Sequence, residues 1–292
     1  MANPRVAILG LGIMGSGMAG RVLAANFPLT VYNRNPEKAK RFADAGAFVA
    51  DSPREAAARS EIVISMVADD TSSRAIWFGP EGALAGATKN AVLIESSTLT
   101  VDWVKELATA AAERGCELLD APVTGTKPHA ASGELIFLVG GSAKALAVAK
   151  PILSVMSRDI LHLGPTGSGA VMKLINNFLA GVQAASFAEA VAFINASGLN
   201  RDTAISVLTN GAPGSPLVKT IAVRASAGDF MPNFTLRLMA KDIGYALEEG
   251  NRYGVRLQTA ASALAVLKQA VAMGYGEKDF SAVIKAISES HP

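Results

Sequence analysis

The chain has 292 residues, half of them hydrophobic and 18% charged, and a formal net charge of +2. That composition is globular and long enough for two domains, and it excludes a disordered chain. Lys and Arg are scattered with no dense run, so neither a nucleic-acid backbone nor an anionic membrane is an expected partner. The single cysteine, Cys116, rules out an intrachain disulfide framework; it reads as a buried thiol in a reducing compartment.

After Arg5 the run VAILGLGIMGSGMAG could pass for a short leader peptide, but it holds five glycines, and Arg21 follows before the next small residues. RVAIL (5–9) is instead a predicted strand. LTVYN (29–33), IVISMV (62–67), AVLIES (91–96), CELLD (116–120) and ELIFLVGG (134–141) read the same way. Their near-continuous apolar character suits a sheet covered on both faces. Helical windows lie between them: PEKAKRFADAG (36–46), with proline in its first turn and glycine at its end, DSPREAAARS (51–60) and TVDWVKELATAAAERG (100–115). Strands alternating with helices imply an α/β domain with a parallel, doubly wound sheet.

Beyond Gly164 the pattern turns helical, with predicted helices over 170–197, 201–210, 216–227, 236–253 and 258–273 and turns at Pro213, Pro216 and Pro232. The expected organisation is an α/β domain over 1–164 and an all-α domain over 165–292. PTGSG (165–169) marks the joint, and a long interdomain helix follows it. No stretch reaches about 18 uninterrupted apolar residues, so no membrane span is expected; the expected location is cytoplasmic.

The first loop carries a recognisable pattern. Gly10, Gly12 and Gly15 form G-x-G-x-x-G directly after a strand and at the start of a helix. Three glycines alone are weak evidence, but this context is the one in which the pattern holds a dinucleotide. Gly10 permits a tight turn, Gly12 a close approach of backbone to pyrophosphate, and Gly15 close helix–strand packing. Gly10, Leu11, Gly12, Ile13, Met14 and Gly15 are therefore the expected cradle of a Rossmann-type domain. An NAD-specific site usually ends the next strand with a carboxylate. Here VYNRN (31–35) offers neutral Asn33 and Arg34, and no carboxylate comes before Glu37. A guanidinium pairs well with a 2′-phosphate, so NADP(H) is favoured over NAD(H); the alternative is that Arg34 is a solvated turn residue.

A second oddity is GSGAVMKLINNFLAGV (167–182), a small and apolar run that holds Lys173 and two asparagines. Lysine is rarely buried and usually reaches for water. Lys173 and Asn177 are one helical turn apart and share a face. A lysine held against an apolar wall has its ammonium destabilised, which brings its pKa toward working pH. Such a group can donate a proton to a carbonyl oxygen during reduction and accept one in the reverse direction. The bland alternative is a lysine snorkelling from a helix edge.

DAPVTGTKPHAASG (120–133), GSGAVMKLINN (167–177) and FTLRLMAKD (234–242), taken with the glycine turn, resemble the β-hydroxyacid dehydrogenase family. That family includes 3-hydroxyisobutyrate dehydrogenases and tartronate semialdehyde and glyoxylate/succinic semialdehyde reductases. The resemblance covers practically the whole chain, in order. It implies Lys173 as the catalytic lysine and Asn177 as the asparagine that helps place substrate. It implies that Thr124 and Gly125 hold the substrate carboxylate, and that Thr98 lies near nicotinamide and substrate. It further implies Phe234 and Asp242 in the pocket lining, Lys241 as a cofactor contact, and Met66, Val67 and Ala68 as the loop passing under the cofactor. Homodimers or homotetramers are common in the family, so a homo-oligomer is expected.

The sequence departs from the family pattern at Thr124, in place of serine, and at Thr126, in place of the second glycine. T-G-T followed by Lys127 and Pro128 is closer to the glyoxylate/succinic semialdehyde group. A β-branched Thr126 is expected to tighten the backbone and narrow the pocket floor. Asp120 is expected to cap or brace the loop. Of the three histidines only His129, beside this segment, could approach substrate; His162 lies between two leucines and His291 is terminal. The expected substrate is thus a small aldehyde acid or its hydroxy acid. A 3-hydroxyisobutyrate-type dehydrogenase using NAD, an imine reductase on the same fold and a non-catalytic dinucleotide module are the alternatives; imine reductases generally lack the lysine, and a non-catalytic module need not keep Lys173, Asn177 and Thr124 together.

Overall fold

The computed structural model describes residues 3–290, so His291 lies outside the described residues. They cluster into two compact units, divided in sequence between Lys173 and Leu174. The first unit alternates strands and helices as the sequence pattern implies. In chain order it contains β1 (Val6–Leu9), α1 (Ile13–Ala24), β2 (Leu29–Tyr32), α2 (Lys40–Asp44), β3 (Phe48–Val49), α3 (Pro53–Ala58), β4 (Ile62–Ser65), α4 (Asp70–Trp77) and α5 (Ala83–Gly86). There follow β5 (Val92–Glu95), α6 (Val101–Glu113), β6 (Glu117–Asp120), β7 (Val123–Thr124), α7 (Lys127–Ser132), β8 (Leu135–Gly140), α8 (Ala143–Ser154) and β9 (Ser157–Gly164).

The strands form one sheet in the order β3-β2-β1-β4-β5-β6-β8-β7, with β9 pairing to β8. β1 to β6 are parallel throughout, and β1, β4 and β5 are buried at every position. A sheet with no solvated face needs this unbroken apolar character. β8 departs from the expected parallel arrangement: it runs antiparallel to both β6 and β7. The reason is local. β6 and β7 lie along one side of β8 and are separated by Ala121 and Pro122, and a proline lacks the N–H that a continuous strand requires. The chain then turns back through α7, so β8 returns along the same line. β9 is parallel to β8 and mostly exposed, an edge strand whose mixed pattern carries no clear strand signal.

The helix predicted over 36–46 is split into a 3-10 turn, Pro36–Lys38, and α2. Four of the unit's eight α-helices begin with a side-chain cap, as Ser52, Asp69, Thr100 and Ser142 each accept from an N–H in the first turn.

α9 (Ser168–Ser197) runs unbroken for 30 residues from the first unit into the second. By length and composition it is apolar enough to cross a membrane, with mean hydropathy 1.3 over an 18-residue window. The sequence expectation of no such segment rested on uninterrupted apolar runs, and Lys173 and the asparagines interrupt this one. Its Ala184, Phe187, Ala188 and Val191 are core residues of the second unit, which accounts for the composition.

The second unit continues with α10 (Arg201–Asn210), α11 (Pro216–Ala227), α12 (Leu236–Arg252), α13 (Gln258–Ala270) and α14 (Val283–Ser290). Its core joins α9 to Leu236, Met239 and Ile243 of α12, Ala263 and Leu267 of α13 and Val283 of α14. α13 stops at Ala270, short of the expected 273, and passes into a π turn in which Gly274 adopts φ +92°.

Candidate active site

The chain order reverses between β1 and β4, which lie side by side in the sheet centre. In open α/β sheets such a switch point opens a crevice beyond the strand ends. The glycine turn follows β1 and Met66–Ala68 follow β4, so both expected cofactor segments stand at this crevice. They touch. Gly10 has φ +101°, and a Cβ there would lie 2.3 Å from the Met66 carbonyl oxygen. A Cβ on Gly15 would lie 2.0 Å from the Gly10 carbonyl oxygen, so the start of α1 closes tightly onto the turn.

Gly12 differs: a Cβ there would meet nothing within 4 Å. Gly12 also begins α1 with no side-chain cap and no acid in the first turn. The first N–H groups of such a helix have no intrahelical partner and favour an anion. This open, uncapped turn fits a dinucleotide pyrophosphate. Asn33, at the end of β2, braces it from within: its Oδ1 accepts from Leu11 N at 2.8 Å and its Nδ2 donates to Asn35 O at 2.8 Å. Arg34 beside it is exposed, while the nearest acid in sequence, Glu37, is paired with Lys40 at 2.7 Å.

Beneath Met66–Ala68 is a network that sequence reasoning missed. Glu95, at the end of β5, is fully buried. Its carboxylate accepts from Ser73 Oγ at 2.6 Å, Trp77 Nε1 at 2.7 Å and Ser97 N at 3.0 Å. Ser97 Oγ in turn accepts from Val67 N at 2.8 Å, and Thr98 follows directly, half-buried. Burial pushes the Glu95 carboxyl above its ordinary value, against the pull of those three donors. A carboxylate within an ESST run was the available signal, but two of its three partners lie on α4.

Thr124, Gly125 and Thr126 follow β6, which runs parallel to β1, β4 and β5, so they leave the sheet at the same end as the glycine turn, and Lys173 joins them there. Lys173 is half-buried, and its Nζ donates to Val123 O at 2.6 Å. The lysine is thus held to the residue immediately before Thr124. Thr126 sits in extended backbone, φ −122°, which a β-branched residue adopts without strain. Its position is explained by His129. Thr126 N donates to His129 Nδ1 at 3.1 Å, and Thr126 Oγ1 lies 2.8 Å from the same nitrogen. The pair caps α7, which gives His129 a structural partner. His162 Nε2 is likewise 2.9 Å from Gly141 O.

Among second-unit candidates, Asn177 and Asp242 are buried and joined: Asn177 Nδ2 donates to Asp242 Oδ2 at 2.5 Å. Lys241 Nζ lies 3.0 Å from Asp242 Oδ1, an ion pair without hydrogen-bond alignment. Phe234 stacks edge-on against Phe280, ring centroids 5.9 Å apart, and its N–H donates to buried Asp279.

A model of the NAD binding domain of 6-phosphogluconate dehydrogenase matches residues 5–164. One described as the NAD-binding of NADP-dependent 3-hydroxyisobutyrate dehydrogenase matches residues 167–287. The chain belongs to the β-hydroxyacid dehydrogenase family. It is 34% identical to the L-threonate dehydrogenase of Cupriavidus necator, covering 96% of this chain and 95% of that one. It is 32% identical to glyoxylate/succinic semialdehyde reductase 1 of Arabidopsis thaliana, over 98% and 99%. The crystal structure of 3-hydroxyisobutyrate dehydrogenase from Salmonella typhimurium superposes with a TM-score of 0.88 at 30% identity, covering 97% and 99%. The enzyme is therefore an NAD(P)-dependent oxidoreductase acting on CH–OH groups, a dehydrogenase of hydroxy acids working reversibly with the corresponding aldehydes.

Proposed function

We propose that the enzyme is an NADPH-dependent reductase of small aldehyde acids, of the size of glyoxylate, tartronate semialdehyde or succinic semialdehyde, with Lys173 as its general acid and base. The observation that carries this reading is the Lys173–Val123 hydrogen bond, because it fixes an ammonium beside the segment expected to hold the substrate carboxylate. An ammonium has three N–H donors; the Val123 carbonyl directs one and so sets the orientation of the group. In reduction Lys173 Nζ gives a proton to the substrate carbonyl oxygen, and in oxidation its amine takes the proton from the hydroxyl. The substrate carboxylate lies against the backbone at Thr124 and Gly125 and the Thr124 hydroxyl. Thr98, Thr126, Asn177, Phe234 and Asp242 complete the substrate set.

Bound nicotinamide coenzyme supplies the hydride, or takes it in the reverse direction. Gly10–Gly15 and Met66–Ala68 hold it, with Lys241 as a further contact. The open turn at Gly12 supports that placement. Preference for NADPH is supported by the absence of a carboxylate at the end of β2, where Asn33 braces the loop and Arg34 is exposed. A homo-oligomer is supported by large apolar side chains left exposed on the second unit, among them Phe193 at 77%, Met231 at 74% and Val223 at 69%. A cytoplasmic location is supported by the lone cysteine, Cys116, a free and buried thiol.

The test is oxidation of NADPH and of NADH against a panel of C2 to C4 aldehyde acids. Turnover with at least one acid, faster with NADPH, is expected. No turnover on any of them, or a preference for NADH, contradicts the reading.

A further inference from the structure

Asp120 is used by neither the cofactor nor the substrate set above, yet it is a fully buried carboxylate. Its Oδ1 accepts from Gly167 N at 2.8 Å and its Oδ2 from Ala170 N at 2.8 Å. Both oxygens are thus committed to the first turn of α9, which fixes the helix in rotation as well as position. A Cβ on Gly169 would lie 2.2 Å from Leu138 O and 2.6 Å from Asp120 O, so α9 starts hard against β6 and β8. A Cβ on Gly140 would lie 2.4 Å from Asp120 Oδ1, so the carboxylate sits in a fitted space. Burial raises the Asp120 carboxyl, while the amides of Gly167, Ala170 and Gly169 favour its charge, as a helix N-terminus does.

Three residues beyond Ala170, close to one turn along α9, is Lys173. Three residues beyond Asp120 is Val123, whose carbonyl accepts from Lys173. The segments 120–124 and 167–173 are therefore tied twice, once by the carboxylate and once by the lysine. We propose that Asp120 is the positioning residue of Lys173, holding the start of α9 so that Nζ stays at Val123, next to Thr124 and Gly125. This rests on Lys173 being the proton donor and acceptor. Without the first tie, the helix turn that carries the lysine can shift against the strand that carries the substrate segment. Displacements on the order of 1 Å at a reacting group reduce rates by about 100-fold.

The test is Asp120→Asn in the full chain. The asparagine oxygen accepts only one of the two N–H groups and turns its own NH2 toward the other. The expected result is kcat lower by about 10–100-fold, with the NADPH dissociation constant unchanged and a larger primary isotope effect with 4-deuterated NADPH. A loss of folded protein alone lowers kcat without moving the isotope effect. In a Lys173→Met background the same change should cost nothing further, since coupled residues are not additive. Unchanged kcat in Asp120→Asn, or an equal loss with and without Lys173, overturns the positioning role. Wild-type turnover in Lys173→Met alone overturns the underlying reading instead. Asp120→Ser, which keeps one acceptor, gives the same comparison if the asparagine variant does not fold.

Discussion

Replacing Glu95 by alanine removes the support under the loop that follows β4. Three donors converge on this carboxylate. Ser73 can rotate its hydroxyl, but Trp77 Nε1 and Ser97 N cannot turn away. Each buried donor left without a partner costs about 1–3 kcal/mol, so the two rigid ones give a loss of about 2–6 kcal/mol before any cavity is counted. Glutamine keeps an oxygen for Ser73 and Trp77 and opposes its NH2 to Ser97 N. That loss is partly offset by removal of a buried charge, leaving about 0–2 kcal/mol. Trp77 and Trp103 are the only two tryptophans, and both donate into this network, Trp103 through Ser73 Oγ at 2.9 Å. Tryptophan emission during urea unfolding therefore reads this unit directly. pH adds a second signature. Because burial raises the Glu95 carboxyl, the folded chain keeps a proton that the unfolded chain releases. Wild-type stability thus falls as pH rises from the ordinary carboxylate range through the raised folded value, and Glu95→Gln lacks that decline. An alanine variant within about 1 kcal/mol of wild type would refute the network as a support, since one abandoned buried donor alone should cost that much.

Three further outcomes follow from the geometry. Gly15→Ala places a methyl 2.0 Å from the Gly10 carbonyl oxygen and should weaken NADPH binding by at least about 10-fold, measured by nucleotide fluorescence. Arg34→Ala should lower the NADPH-to-NADH ratio of kcat/KM by about 10–100-fold, the worth of one charge-assisted phosphate contact at about 1.5–3 kcal/mol; an unchanged ratio makes Arg34 a solvated turn residue. Asp242→Ala orphans the buried Asn177 amide and should destabilise the second unit by about 1–3 kcal/mol. That unit has no tryptophan, so helical circular dichroism is the measurement, and an unchanged melting temperature argues against the pair.

The parts of the fold that were legible in the sequence are those whose signal is local. β1, β4 and β5 are buried at every position and read as near-continuous apolar runs, and the glycine turn is spelled out by three residues beside a strand. β9 was not legible, because an exposed edge strand mixes polar and apolar residues. Neither was α7: Thr126-Lys127-Pro128-His129 is a capping arrangement with histidine where Glu or Gln usually stands. The same limit separates the candidate residues. Lys173 stood out because a cation in an apolar run is locally anomalous. Glu95 draws its partners from 18 and 22 residues earlier in the chain, and Asp120 from 47 and 50 residues later. Tertiary pairing of this kind leaves no periodic trace.

Lys173 is the residue on which the account turns. Steady-state kinetics of Lys173→Ala beside wild type, with NADPH affinity measured on both proteins, tests it most directly. General acid–base catalysis contributes about 100–10,000-fold, so kcat should fall by that factor while NADPH affinity is unchanged. Retained turnover, or a loss confined to cofactor affinity, contradicts the assignment of Lys173 as the proton donor.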